Sequence, residues 1–184
     1  RRVRIVRGLA RLELGQYGKA REELTATQRN GKVPAEAAIY LAATDAATGQ
    51  HELAHKVLES AAKAARGRGT AHVALGKLLL EEGKEPEAIA ALTAAIADRR
   101  DWEGACALGR LHLRSARFAE AKKQLALAVE RNKFHVEARL ALAQALLALG
   151  EAKAAQAEFE TTIALSPSAT AFRGLSRSLL ALGD

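Results

Sequence analysis

Apolar residues recur along this chain at three- and four-residue spacing, broken at regular intervals by short polar segments. Leu75, Leu78 and Leu79, or Leu108 and Leu111, fall on single stripes of a 3.6-residue period, which predicts amphipathic helices rather than strands. The interruptions read Leu14-Gly15-Gln16-Tyr17, Thr48-Gly49-Gln50-His51, Glu82-Gly83-Lys84-Glu85, Ser115-Ala116-Arg117-Phe118, Leu149-Gly150-Glu151-Ala152 and Leu182-Gly183-Asp184. Their Gly or Ala positions are 34, 34, 33, 34 and 33 residues apart. A fixed period of this size marks a repeat architecture. First helices are predicted near 3–14, 36–48, 70–82, 103–115, 137–149 and 170–182. Second helices are predicted near 18–30, 52–65, 86–98, 119–131 and 153–165.

The repeat carries a packing code. Five residues after the turn position comes an alanine (Ala20, Ala54, Ala88, Ala121, Ala155), and four later a large apolar residue (Leu24, Leu58, Leu92, Leu125, Phe159). Eight residues before the later turns sits a leucine (Leu41, Leu75, Leu108, Leu142, Leu175). A small residue follows it: Ala42, Gly76, Gly109, Ala143, Ser176. Small residues at matched sites let two helices cross closely. Glycine at the turn supplies the positive φ that reverses the chain. Pro86 suits a first helical turn, and Pro34 and Pro167 separate hairpins.

These residues resemble the tetratricopeptide repeat, with its Leu-Gly, Gly-rich turn, aromatic, Ala and Phe or Leu sites. The resemblance spans repeats 1–34, 35–68, 69–101, 102–135 and 136–168, with a partial repeat at 169–184. It implies one all-α domain over 1–184, a right-handed superhelical solenoid of antiparallel hairpins: about five repeats plus one terminal helix. The early aromatic is kept only as Phe172 and the closing Pro only as Pro167, and Arg7 fills a leucine slot. The first repeat is therefore expected to be the most distorted. A hairpin alone cannot bury its apolar face, so neighbours are expected to stack. Phe172, Leu175, Leu179 and Leu182 do not make a polar cap. With no Met in the chain, this points to a segment of a longer protein, or to another surface covering that end.

Composition narrows the function classes. The apolar runs are about ten residues, half of what a membrane span needs. Aromatics are only 4%, too few for base-stacking platforms, so nucleic acid is not the expected partner despite a net charge of +7. Runs such as Arg1-Arg2, Arg99-Arg100 and Lys122-Lys123 read as solvated faces. A single cysteine, Cys106, cannot form an internal disulfide. This fits a reducing compartment, the cytoplasm rather than the periplasm. No acid or His stands at an obvious fixed spacing to activate it, so Cys106 reads as a structural thiol.

One string looks enzymatic. His51-Glu52-Leu53-Ala54-His55 is a literal H-E-x-x-H, able on a helix to present two imidazoles and a general base to zinc. A catalytic zinc needs a third protein ligand, which the sequence does not indicate. Ala54 is expected to face the core, and Leu58 and Ala61 stand where the extended motif wants Gly and His. The string reads as a histidine pair on a repeat helix, with a zinc-dependent hydrolase as the alternative and an RNA-binding solenoid as another. Gly67-Arg68-Gly69 and Asn30-Gly31-Lys32 read as loops. No cofactor, metal or catalytic residue is assigned.

The resemblance implies that the first helix of each hairpin lines a concave surface. Its N-terminal half is small and apolar (Ile5, Leu9, Ile39, Ala43, Ala46), while its C-terminal half sets cations and an amide beside leucines. The expected partner-binding residues are Lys77, Leu80, Arg110, Leu113, Arg114, Gln144, Leu147, Arg173 and Arg177. A surface of that kind suits a protein or peptide with acidic and apolar residues. The carboxylate clamp of chaperone-binding family members is not expected, because Ile5, Leu9 and Ala43 do not supply it. The expectation is a protein-interaction scaffold without chemistry of its own. The resemblance permits a setting in a bacterial motility, pilus, secretion or envelope assembly.

Overall fold

The computed structural model describes residues 2–63, 68–97 and 102–183, and all of their regular structure is helical. Two compact units divide the chain, 1–98 and 99–184. The first holds three hairpins: α1 (Arg2–Glu13) with α2 (Tyr17–Thr25), α3 (Ala35–Ala47) with α4 (His51–Ala62), and α5 (Arg68–Glu81) with α6 (Glu85–Ile96). The second holds α7 (Glu103–Arg114) with α8 (Phe118–Arg131), α9 (Val136–Ala148) with α10 (Ala152–Leu165), and α11 (Ala169–Leu182).

Five hairpins are joined by one turn design. Gly15, Gly49, Gly83 and Gly150 have φ between +69° and +77°, and Ala116 takes the same left-handed region at +55°. In each case the next residue's N–H reaches back five residues, as in Lys84 N to Leu79 O at 2.8 Å and Arg117 N to His112 O at 2.9 Å. This closes the helix end with a Schellman pair of hydrogen bonds and satisfies carbonyls that would otherwise be orphaned.

The alanine and large-apolar sites of the repeat form the core. Ala20, Ala54, Ala88, Ala121 and Ala155 are fully buried, and Leu24, Leu58, Leu92, Leu125 and Phe159 are at most 2% exposed. Each of the large side chains contributes about 1.5–3 kcal/mol by leaving water. They fit because the facing helix offers no bulk. A Cβ built on Gly76 would lie 2.7 Å from Leu92 Cγ, and one on Gly109 would lie 2.6 Å from Leu125 Cγ. Ser176 holds the same repeat position in α11 and is exposed. The close approach in α11 comes instead at Gly174, two residues earlier, against the Phe159 ring of α10.

Two local expectations are corrected. The second helix of the first repeat ends at Thr25 rather than near residue 30. Thr27 turns its hydroxyl onto Leu24 O at 2.6 Å, and Asn30 and Gly31 both take positive φ in a tight turn bridged by Arg29 and Lys32. The Arg68-Gly69 part of the expected loop is the start of α5, with Gly69 buried there; Gly67 lies outside the described residues. Arg1, Arg99 and Arg100, three of the basic-run residues, also lie outside them.

Candidate functional site

In the second unit, α7, α9 and α11 present a face whose side chains frame two clefts. The cleft between α7 and α9 is about 280 Å³ and is lined by Arg110, Leu113, Arg114, Glu137, Leu140, Ala141 and Gln144. The cleft between α9 and α11 is about 540 Å³, lined by Gln144, Leu147, Ala148, Thr170, Arg173, Gly174 and Arg177, with Phe159 of α10 beneath. Gln144 borders both. Its amide can donate and accept at once, the pattern a peptide main chain requires.

The two clefts differ in charge. Arg110 Nη1 pairs with Glu137 Oε2 at 3.0 Å, both side chains more than half exposed. Arg114, Arg173 and Arg177 make no ion pair among the described residues. Their neighbours Leu113, Leu140 and Leu147 are half-buried, so each guanidinium stands at the edge of apolar surface. Gly174 lets α11 pack closely on the Phe159 ring at the base of the larger cleft. A Cβ there would come within 2.2 Å of Phe159.

The structure thus brings together Arg110, Leu113, Arg114 and Gln144 on one cleft and Gln144, Leu147, Arg173 and Arg177 on its neighbour. Lys77 belongs to the first unit. It borders a cleft of about 170 Å³ in the first unit, between α3 and α5, with Ile39, Ala42, Ala43, Ala46, Leu58, Ala74, Leu78 and Glu81. Leu80 lines none of these clefts and is partly buried against Leu79, Ala88 and Ala91. Sequence reading missed Glu137. Arg110 and Glu137 are 27 residues apart, one repeat less about two helical turns, a spacing that joins successive first helices.

The H-E-x-x-H string lies on the first turns of α4. His55 Nε2 is 2.9 Å from Glu82 Oε1, and His51 Nδ1 is 3.4 Å from the same oxygen. The other Glu82 oxygen receives Lys84 Nζ at 2.8 Å. The carboxylate that the sequence reading did not indicate therefore arrives from the turn just after α5, but with an ammonium on it. The Lys84 hydrogen bond, and then that of His55, hold the Glu82 carboxyl below the ordinary glutamate range. Among the described residues no group of three or more His, Cys, Asp or Glu side chains is arranged to hold a metal ion.

A second polar pair is buried in the first unit. Asp45 on α3 has no exposed surface and is met by Arg21 of α2, while its Oδ2 has no hydrogen-bond partner. Burial pushes its carboxyl up, and Arg21 opposes that shift. Cys106 is buried.

A tetratricopeptide repeat model matches residues 44–105, 106–169 and 140–184. Comparison with curated proteins finds no match. Among solved structures, a crystal structure of MamA superposes with a TM-score of 0.68 at 20% identity, over 81% of this chain and 82% of that one. The C-terminal part of a TPR repeat-containing protein from Cytophaga hutchinsonii gives 0.72 at 16% identity, over 97% of this chain and 71% of that one. The second TPR domain of human RPAP3, in complex with the HSP70 peptide SGPTIEEVD, gives 0.53 at 27% identity over 56% and 88%. Among the described residues no helix is long and apolar enough to cross a membrane.

Proposed function

Because the chain belongs to the tetratricopeptide repeat family, we propose that it is a protein-interaction scaffold that takes a segment with acidic and apolar residues on the α7–α9–α11 face. The observation that carries this reading is the pair of clefts joined at Gln144, with four arginines beside half-buried leucines. Arginine forks grip carboxylates bidentately, and the leucines offer apolar contact. The peptide held by the RPAP3 domain mixes Ile and Val with Glu and Asp, which is the same class of ligand. A chaperone tail is not the proposed partner, since Ile5, Leu9 and Ala43 do not make the clamp that such tails use. Lys77 belongs to the smaller cleft and is a weaker contributor in this reading. No reaction is assigned to the chain.

The test starts from a partner captured on the immobilised chain and identified by mass spectrometry, then titrated against two double variants. Arg173→Glu with Arg177→Glu reverses the cations of the larger cleft. Lys123→Glu with Lys153→Glu makes the same charge change on exposed sites of α8 and α10. The first is expected to lose at least tenfold in affinity and the second less than twofold. Affinity for the wild type should fall with added salt without vanishing, because screening acts on the arginines and not on the leucine contacts. Equal losses in the two variants would remove the proposed site.

A further inference from the structure

We infer that Glu137 sets the order in which a partner's acidic and apolar residues lie on this face, by keeping carboxylates out of the cleft between α7 and α9. The inference rests on the binding face proposed above and assigns its two clefts different ligands. Acidic groups enter between α9 and α11, at Arg173 and Arg177. An apolar side chain enters between α7 and α9, against Leu113, Leu140 and Ala141.

The asymmetry follows from charge and contact. The cleft between α7 and α9 already contains a carboxylate, Glu137, held on Arg110 at 3.0 Å. A partner's acid that goes to Arg110 must displace Glu137 and then sit beside it, like charge against like. One that goes to Arg114 meets a lining of two arginines and one glutamate, net +1, against two arginines and no acid, net +2, in the neighbouring cleft. The cleft between α9 and α11 is bordered by two arginines and no acid, so a carboxylate entering it meets only attraction. Arg173 and Arg177 are one helical turn apart on α11 and so face the same way. Gln144 stands between the clefts and serves the main chain that runs from one to the other. Glu137 pays little for this role, because an exposed ion pair contributes little to stability and its removal leaves no buried charge.

Fluorescein-labelled peptides test the assignment. One carries two glutamates followed by two leucines, and its counterpart has glutamates in place of the leucines. Fluorescence anisotropy should show the mixed peptide binding the wild type more tightly. Glu137→Gln should raise affinity for the all-glutamate peptide roughly three- to fivefold, the size expected of an exposed pair, and change the mixed peptide less than twofold. Glu137→Ala, as a second variant, should act the same way. Arg173→Gln with Arg177→Gln should weaken the mixed peptide at least tenfold, and Arg110→Gln less than threefold. The inference is overturned if neither Glu137 variant distinguishes the peptides, or if Arg110→Gln costs as much as the double variant. The binding face itself would still stand in that case. If neither peptide binds, or if none of the arginine variants matters, the binding face falls and the inference with it.

Discussion

The cleft between α3 and α5 and the cleft between α9 and α11 are built on one plan and finished differently. Each has the large apolar residue of a second helix beneath it, Leu58 in one and Phe159 in the other. Aligned by their turn glycines, Gly49 with Gly150 and Gly83 with Gly183, five lining positions coincide. Ala43 becomes Gln144, Ala46 becomes Leu147, Leu58 becomes Phe159, Ala74 becomes Gly174 and Lys77 becomes Arg177, while the wall residue Arg173 stands where the first unit has the buried Val73. Glu81, one turn beyond Lys77, becomes Ala181. The first cleft is small, alanine-walled and carries both signs of charge. The second is about three times larger and cationic. The backbone plan and the buried sites are common to both, so the difference in chemistry rests on a handful of wall positions that the packing leaves free to vary.

The sharpest way to break this comparison is through the floor. Gly174→Ala should destabilise the chain by about 2–3 kcal/mol, because the added methyl meets a rigid aromatic ring. Gly76→Ala, whose methyl meets the Leu92 side chain, should cost about 1 kcal/mol, since leucine can shift rotamer and alanine favours the helix. Urea denaturation monitored by circular dichroism measures both, and equal losses would mean that the Phe159 floor is no more rigid than the Leu92 side chain, which lines neither cleft. Next in size is the wall itself. Arg177→Glu should weaken binding of the mixed acidic-apolar peptide about tenfold, or about 1.4 kcal/mol, while Lys77→Glu at the corresponding site should change it less than twofold. Equal effects would merge the two clefts into one class.

A smaller effect separates the turns. Ala116→Gly should stabilise by about 0.5–1 kcal/mol, because its left-handed backbone strains an L side chain. Gly83→Ala, with the same geometry in the first unit, should destabilise by a similar amount. Thermal melts check the pair, and the same sign for both would refute the turn argument. The least of the effects concerns acid, and it is confined to the first unit. Glu82 has a depressed pKa, so its contribution is present above the ordinary glutamate range and is lost as pH falls through its folded value. Asp45 has a raised pKa, so it works against stability at neutral pH and is relieved by acid. Between pH 7 and pH 4, Glu82→Gln should therefore lose less stability than the wild type and Asp45→Asn more. Urea midpoints at the two pH values decide it, and the reverse order would refute the assignment.

The repeat was legible because period and packing demand the same residues. Ala54, Leu58, Ala121 and Leu125 could be placed in the core by spacing alone, since each hairpin buries the same sites. Fine structure was less legible where a side chain overrode the period. Thr27 and the Asn30-Gly31 turn shorten α2, and α5 begins before the glycine at residue 69, which is buried within it. The polar partners were hidden for another reason. Arg21 with Asp45, His55 with Glu82 and Arg110 with Glu137 join different hairpins at separations of 24, 27 and 27 residues. No local pattern encodes such pairs until the stacking is known. The cations expected to bind a partner, Lys77, Arg110, Arg114, Arg173 and Arg177, carry no sign in the sequence that Arg110 is already occupied by an acid.

The alanine-rich packing behind the binding face bears on how a partner is recognised. Ala138, Ala141, Ala145, Ala171 and Gly174 are buried in α9 and α11. These residues have no side-chain rotamers to lose when a ligand docks. The wall is therefore set before the partner arrives, and the ordering cost falls on the arginines and on the incoming segment. A segment already stiffened in its bound shape should gain affinity here chiefly through slower release, with no new contact made.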